Sequence, residues 1–163
     1  FLACMFIAPI AAIIPAAAVP AHIAELRAVS DDWLAAKKQR EKAFSLGSFD
    51  AAYMAHFPCA VVRIEGRIVA FANILATANR AEMSVDLMRH VAAIPYGVMD
   101  FLFIRLMQYA QAEGYRRLSL ETGSQPMFLP ARKLYERAGF QECPPFEGYA
   151  LDPNSVFMTK VLA

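Results

Sequence analysis

Asp86, Arg89 and His90 form the most polar cluster in the middle of the chain. A carboxylate can position an amine, and a guanidinium can hold a phosphate. An imidazole can carry a proton near neutral pH. These three residue types could therefore serve a group-transfer reaction. They would equally suit a salt-bridged strand end beside a surface loop, so both interpretations stay open.

Polar and apolar residues alternate over residues 82–89, which predicts a strand with one polar face. Asp86 belongs to the polar face, and Arg89, three positions later, points to the other side. For both side chains to meet one substrate, the strand has to end, twist or bulge by Met88, so that Arg89 turns toward the cleft.

Another carboxylate, Glu121, ends the strand predicted over residues 117–122. A carboxylate at a strand end can act as a base toward an amine, although a partnered surface glutamate is more common.

The composition excludes several classes of protein. The formal net charge of the 163-residue chain is +1, which gives no global attraction to nucleic acid or to an acidic surface. Cys4, Cys59 and Cys143 are far apart and form no CxxC pair, so no metal site is predicted. An odd number of separated cysteines suits reduced thiols in the cytoplasm.

Residues 1–21 carry no charge and contain Pro9, Pro15 and Pro20. The run just reaches the roughly 20 apolar residues that a membrane helix needs, but each proline removes a backbone donor. We expect an apolar Ala/Pro leader over 1–21, either the remnant of a membrane segment or a disordered linker. A single domain is expected over 22–163.

Helical and strand patterns alternate along this domain, which predicts an α/β fold with a mixed sheet. Ser30 is expected to be the N-cap of the first helix, and Glu65-Gly66 to form a tight hairpin turn. The predicted helices cover 31–44, 98–113 and 128–138, and the predicted strands cover 60–65, 68–75, 82–89, 117–122 and 155–162.

Residues 25–117 resemble the C-terminal domain of lysylphosphatidylglycerol synthases, the multiple peptide resistance factors. The resemblance rests on the strings FSLGSFD (44–50), AVVRIEGRIVAFANI (60–74), SVDLMRH (84–90) and GVMDFLF (97–103). It implies a GNAT-like acyltransferase fold with helices on both faces of the sheet. It also implies transfer of an aminoacyl group from aminoacyl-tRNA to an anionic phospholipid, phosphatidylglycerol, at the inner face of the cell membrane. Asp86, Arg89 and His90 would then lie near the aminoacyl and lipid site.

Residues 112–163 resemble the last part of small GNAT N-acetyltransferases, through GYRRLSLETGSQPMFLPARKLYERAGF, CPPFEGY and NSVFM. The resemblance implies that Tyr135 is a general acid toward the departing CoA thiolate. At helical spacing from Phe128 and Ala131, Tyr135 also suits a core position.

The acetyltransferase resemblance implies a glycine-rich loop that grips the CoA pyrophosphate at the start of the central helix. Here the candidate cofactor-binding residues are Gly97, Val98 and Met99, and only Gly97 keeps the pattern. Met99 adds bulk, and Asp100 places negative charge in the first helical turn, where it opposes an anion. Acetyl-CoA is therefore a cofactor only under the alternative function.

Three hypotheses follow. The first is an aminoacyl-tRNA-dependent phosphatidylglycerol lysyltransferase domain. The second is an acetyl-CoA-dependent N-acetyltransferase. The third is an inactive or binding-only domain with the GNAT fold.

Overall fold

A computed structural model describes residues 8–37, 48–146 and 150–162. Within these described residues, seven strands form one mixed sheet in the order β1-β2-β3-β4-β5-β7-β6. The strands are β1 (Ile10–Ile14), β2 (Cys59–Ile64), β3 (Arg67–Ala76), β4 (Met83–His90), β5 (Arg117–Gly123), β6 (Gln141–Cys143) and β7 (Ser155–Val161). The helices are α1 (Ile23–Lys37), α2 (Ala51–Met54), α3 (Val98–Ala112) and α4 (Leu129–Arg137), with 3-10 turns at Ala16–His22 and Pro126–Phe128. The prediction of a mixed α/β sheet is confirmed.

Two compact units make up the chain. The first contains residues 1–73 and 87–103, and the second contains residues 74–86 and 104–163.

In the first unit, the uncharged N-terminal stretch contributes a strand to the sheet. β1 pairs antiparallel with β2 over five residue pairs, from Ile10 opposite Arg63 to Ile14 opposite Cys59. Ile14 is buried, and Val19 in the following 3-10 turn is fully buried. Residues 10–22 therefore belong to the folded unit rather than to the separate leader that the composition suggests.

The first helix begins earlier than predicted. α1 starts at Ile23, so Ser30 lies in the middle of the helix and is not its N-cap. Leu26, Val29 and Ser30 recur at helical spacing on one face, and all three are at most 2% exposed. That apolar face places the helix start before the two aspartates. Residues 38–44 of the predicted helix lie outside the described residues.

The hairpin of β2 and β3 turns at Glu65 and Gly66, as predicted. Both residues have positive φ, 51° and 77°. Two successive left-handed residues form the turn whose twist matches that of the flanking strands.

In the second unit, β5 has a parallel neighbour on one side and an antiparallel neighbour on the other. It pairs parallel with β4 from Met83 opposite Leu118 to Val85 opposite Leu120. It pairs antiparallel with β7 over seven residues, and β7 also pairs with β6. Lys160 of β7 donates to the carbonyl of Ala138 at 2.6 Å and so binds the end of α4.

Candidate functional site

Arg89 is buried in the first unit, beneath α1. In β4 the buried and half-buried positions alternate without interruption from Met83 to His90, and Arg89 falls on the buried side with an exposed fraction of 3%. Its Nη1 donates to the hydroxyl of Ser30 at 2.5 Å. Its guanidinium carbon lies 5.0 Å from the centre of the Trp33 ring. The guanidinium is thus held by a hydroxyl and an aromatic face of the same helix.

β4 continues past Met88, whereas a joint role of Asp86 and Arg89 would require the strand to end, twist or bulge there. The strand continues to His90, and Asp86 lies on the half-buried face opposite Arg89. Leu87 and Arg89 are both buried within the first unit, and the alternation of buried and half-buried positions runs through Met88 as in a regular strand. The structure therefore does not turn these two side chains to one side.

His90 ends β4 and is half-buried. Its Nδ1 lies 2.8 Å from the carbonyl oxygen of Val91. A carbonyl only accepts, so Nδ1 carries the hydrogen and, in the neutral ring, Nε2 keeps the lone pair. This tautomer leaves Nε2 as the nitrogen that can take a proton.

The residues just after His90 are fixed by backbone hydrogen bonds. The amide of Val91 donates to the carbonyl of Val69 in β3 at 2.9 Å. The amide of Ala92 donates to Oδ2 of Asp32 in α1 at 2.6 Å. The chain that leaves β4 is therefore anchored both to the sheet and to the helix.

The loop before α3 turns at Gly97, whose φ is +84°. A Cβ atom at Gly97 would meet nothing within 4 Å, so glycine is required here by its backbone conformation and not by crowding. Val98 is 3% exposed, and Met99 is half-buried. Asp100 lies in the first turn of α3, where a carboxylate stabilises the helix and opposes a bound anion.

Tyr135 lies in the second unit, in the hydrophobic side of α4. The residue is 8% exposed, and its ring centre is 6.3 Å from that of Phe140. Burial raises the pKa of the Tyr135 phenol to about 12. The packing matches the core position that its spacing allows.

Glu121 and Asp86 also belong to the second unit. Glu121 is exposed in β5, and the hydroxyl of Ser155 donates to its Oε1 at 2.5 Å. Asp86 follows Val85, the last β4 residue in the parallel register with β5. Glu121 thus has the surface partner that is common for such a carboxylate.

Sequence reasoning missed Ser30, Asp32 and Trp33 as parts of this site. Ser30 and Trp33 are three positions apart, so both project from neighbouring positions of α1 toward Arg89. That spacing was available in the sequence, but it becomes informative only once the helix is known to start at Ile23.

Comparison with known proteins identifies the family. The sequence model of the family described as phosphatidylglycerol lysyltransferase, C-terminal, matches residues 11–138. The phosphatidylglycerol lysyltransferase of Bacillus subtilis (strain 168) is 48% identical over 95 residues, which are 58% of this chain and 11% of that protein. The uncharacterized N-acetyltransferase YsnE of the same strain is 58% identical over 66 residues, 40% of this chain and 44% of that protein. The chain thus spans less than half the length of both relatives.

Solved structures share the fold. The C-terminal domain (DUF2156) of a lysylphosphatidylglycerol synthetase from Agrobacterium fabrum superposes with a TM-score of 0.69 at 31% identity, covering 96% of this chain and 50% of that one. An acetyltransferase of the GNAT family from Desulfovibrio desulfuricans superposes with a TM-score of 0.71 at 15% identity, covering 96% of this chain and all of that one. The second likeness establishes the GNAT-like fold alone.

Across the described residues, none of the helices has both the length and the apolar character to cross a membrane. The family match covers 128 of the 163 residues and includes α1, β4 and the loop to α3. This chain belongs to the phosphatidylglycerol lysyltransferase C-terminal family and has a GNAT-like fold.

Proposed function

We propose that this chain is an acyltransferase domain that moves an aminoacyl group from aminoacyl-tRNA to phosphatidylglycerol at the inner face of the cell membrane. The observation that carries the proposal is the family match over residues 11–138, which contains His90 and the whole loop before α3. The matching relatives are named phosphatidylglycerol lysyltransferases, and this supports a lysyl group and phosphatidylglycerol as the group transferred and its acceptor.

The first unit offers a proton carrier for this reaction. A hydroxyl oxygen of phosphatidylglycerol attacks the ester carbonyl of the aminoacyl-tRNA, and its proton passes to Nε2 of His90. The bond between the carbonyl carbon and the ribose oxygen then breaks, and the same proton returns to that oxygen. One ester replaces another, so no further reactant is required. The tautomer set by the Nδ1 contact with Val91 leaves Nε2 able to take the proton.

The loop before α3 favours this donor over acetyl-CoA. CoA-dependent relatives of the fold hold a pyrophosphate on backbone amides at a helix start. Here Met99 brings a side chain to that turn, and Asp100 brings a negative charge. An ester carried by tRNA does not need a pyrophosphate cradle at this position.

The second candidate is an acetyl-CoA-dependent N-acetyltransferase. It is favoured by the 58% identity to YsnE over 66 residues, since that protein is described as an N-acetyltransferase. In this case acetyl-CoA would bind at Gly97, Val98 and Met99.

The test compares both donors with the same protein. Lysyl transfer from charged tRNA to phosphatidylglycerol vesicles is measured beside acetyl-CoA binding by calorimetry. We expect transfer, and no acetyl-CoA binding in the low micromolar range. Low micromolar binding without lysyl transfer would establish the second candidate, and neither activity would leave a binding-only or inactive domain.

The proton carrier is tested with His90→Gln and a matched control. A positioned general base contributes about 100-fold or more to a rate, so His90→Gln is expected to lower kcat by about that factor. His56→Gln changes the same residue type at an exposed position and is expected to keep the parent rate. Equal rates for the two variants would remove His90 from the mechanism.

A further inference from the structure

Asp32 and His90 are joined through a single peptide unit. The amide that donates to Asp32 Oδ2 at 2.6 Å is that of Ala92. The carbonyl that accepts from His90 Nδ1 at 2.8 Å is that of Val91. Both groups belong to the peptide bond between Val91 and Ala92. The oxygen of this one planar unit accepts from the imidazole of His90, and its N–H donates to the carboxylate of Asp32.

The planarity of that unit couples the two hydrogen bonds. In a trans peptide the N–H and the C=O point in opposite directions and rotate together. A carboxylate that holds the N–H therefore also fixes the direction of the carbonyl. A charged acceptor on the N–H further polarises the peptide, which makes its oxygen a stronger acceptor for His90.

The rest of α1 keeps Asp32 at this position. Arg89, the residue before His90, donates to Ser30 and lies over Trp33, so α1 contacts the end of β4 on either side of the histidine. Leu26 and Val29 anchor the same helix in the core of the first unit. The carboxylate of Asp32 is thus held in place by a helix, which is a rigid element, and not by a loop.

We propose that Asp32 is a positioning residue that sets the tautomer of His90 through the Val91–Ala92 peptide. The carboxylate, the peptide and the imidazole form a relay in which the negative end favours hydrogen on Nδ1 and exposes the Nε2 lone pair. A direct carboxylate–histidine contact has the same effect elsewhere; here a peptide bond lies between the two groups. The consequence for catalysis depends on the proposed function, whereas the tautomer does not.

The experiment reads the tautomer directly. Nitrogen-15 chemical shifts of the imidazole rings distinguish Nδ1–H from Nε2–H, and the full chain contains three histidines. The variants are Asp32→Ala, Asp32→Asn, which keeps a neutral acceptor oxygen, and Asp31→Ala as the control at the neighbouring exposed aspartate. His22 is the internal reference, since its Nδ1 lies 3.0 Å from Glu25.

We expect the neutral parent ring of His90 to carry its hydrogen on Nδ1. In Asp32→Ala the population moves toward Nε2–H, Asp32→Asn restores part of the parent population, and Asp31→Ala and the His22 signals do not change. Amide exchange at Ala92 is expected to accelerate at least tenfold in Asp32→Ala, whereas exchange at Leu87, whose amide donates to Asn73 at 2.7 Å, stays as it was. An unchanged His90 tautomer in Asp32→Ala overturns the proposal, as does an equal change in Asp31→Ala.

Kinetics separate this inference from the proposed function. If the parent transfers lysine, Asp32→Ala is expected to lower kcat about tenfold with KM for the charged tRNA within twofold, and Asp32→Asn to recover part of kcat. A tautomer change in a parent without transfer would contradict the proposed function and leave the relay intact. Transfer that is normal in Asp32→Ala despite a changed tautomer would overturn the catalytic role of the relay.

Discussion

Arg89→Lys distinguishes a structural guanidinium from one that meets a phosphate. Lysine keeps the charge but loses the planar fork that stacks on Trp33 and reaches Ser30. A desolvated cation–π contact is worth up to about 2 kcal/mol, and a hydrogen bond from a charged group about 1.5–3 kcal/mol. Because lysine recovers part of each, we expect a loss of about 3 kcal/mol in the free energy of unfolding. For a chain of this size, the melting midpoint should fall by about 6–12 °C.

The assay is thermal melting followed in parallel with lysyl transfer. The matched control is Arg105→Lys, since Arg105 is exposed on α3 and bonds to Gln108 at 2.9 Å. Its free energy of unfolding should change by less than about 0.5 kcal/mol. If Arg89→Lys melts like the parent and yet loses transfer, the side chain meets substrate and the assignment to the α1 contact fails.

Three further predictions concern other parts of the molecule. In Gly123→Ala the new Cβ would collide with the ring of Phe128, so the free energy of unfolding should fall by about 1–3 kcal/mol. Phe128→Leu in the same chain should recover part of this loss, and a melting midpoint equal to the parent's would contradict this packing. Hydrogen bonds from Arg63 and His22 hold the pKa of Glu25 below its usual value, so the stability it adds is complete above about pH 4.5 and is lost as the pH falls through the lower folded pKa. Glu25→Gln should therefore flatten the acid side of the stability curve measured by urea unfolding, and an unchanged slope would argue against the pair. Tyr135→Phe should keep lysyl transfer within about threefold, because a buried phenol with a pKa of about 12 is a core group; a loss of 100-fold or more would assign it an acid role.

The regular strands and the central helix are predictable because their side-chain patterns are local. Alternation in residues 82–89 and the Glu65-Gly66 turn require only neighbouring residues. The bounds of the five predicted strands differ from the observed ones by at most one residue at either end. The buried positions Leu102, Phe103 and Leu106 of α3 follow from helical spacing in the same way.

The environment of Arg89 could not be predicted, because it depends on a distant helix. Arg89 and Ser30 are 59 positions apart, and the alternation that placed the arginine opposite Asp86 says nothing about what covers that face. When the last core-facing position of a strand is a charged residue, the usual expectation is that this end of the strand is exposed to solvent. Here Trp33 and Ser30 provide a partner that makes burial of the charge tolerable.

β1 was missed for a different reason. Its sequence, IAAII, is short and uncharged, and it lies between prolines, so composition alone resembles a linker or a membrane remnant. Pairing with β2 stabilises it, and that pairing joins segments about 50 positions apart.

The position of β1 has a practical consequence for producing the protein. A truncation at residue 22, chosen to remove the apolar stretch for solubility, would delete the strand that covers β2. The backbone of Cys59–Ile64 would then become a sheet edge whose first four side chains are at most 1% exposed in the intact fold. An apolar edge of this kind is a template for pairing with other molecules, so the shorter chain should aggregate more readily than the longer one.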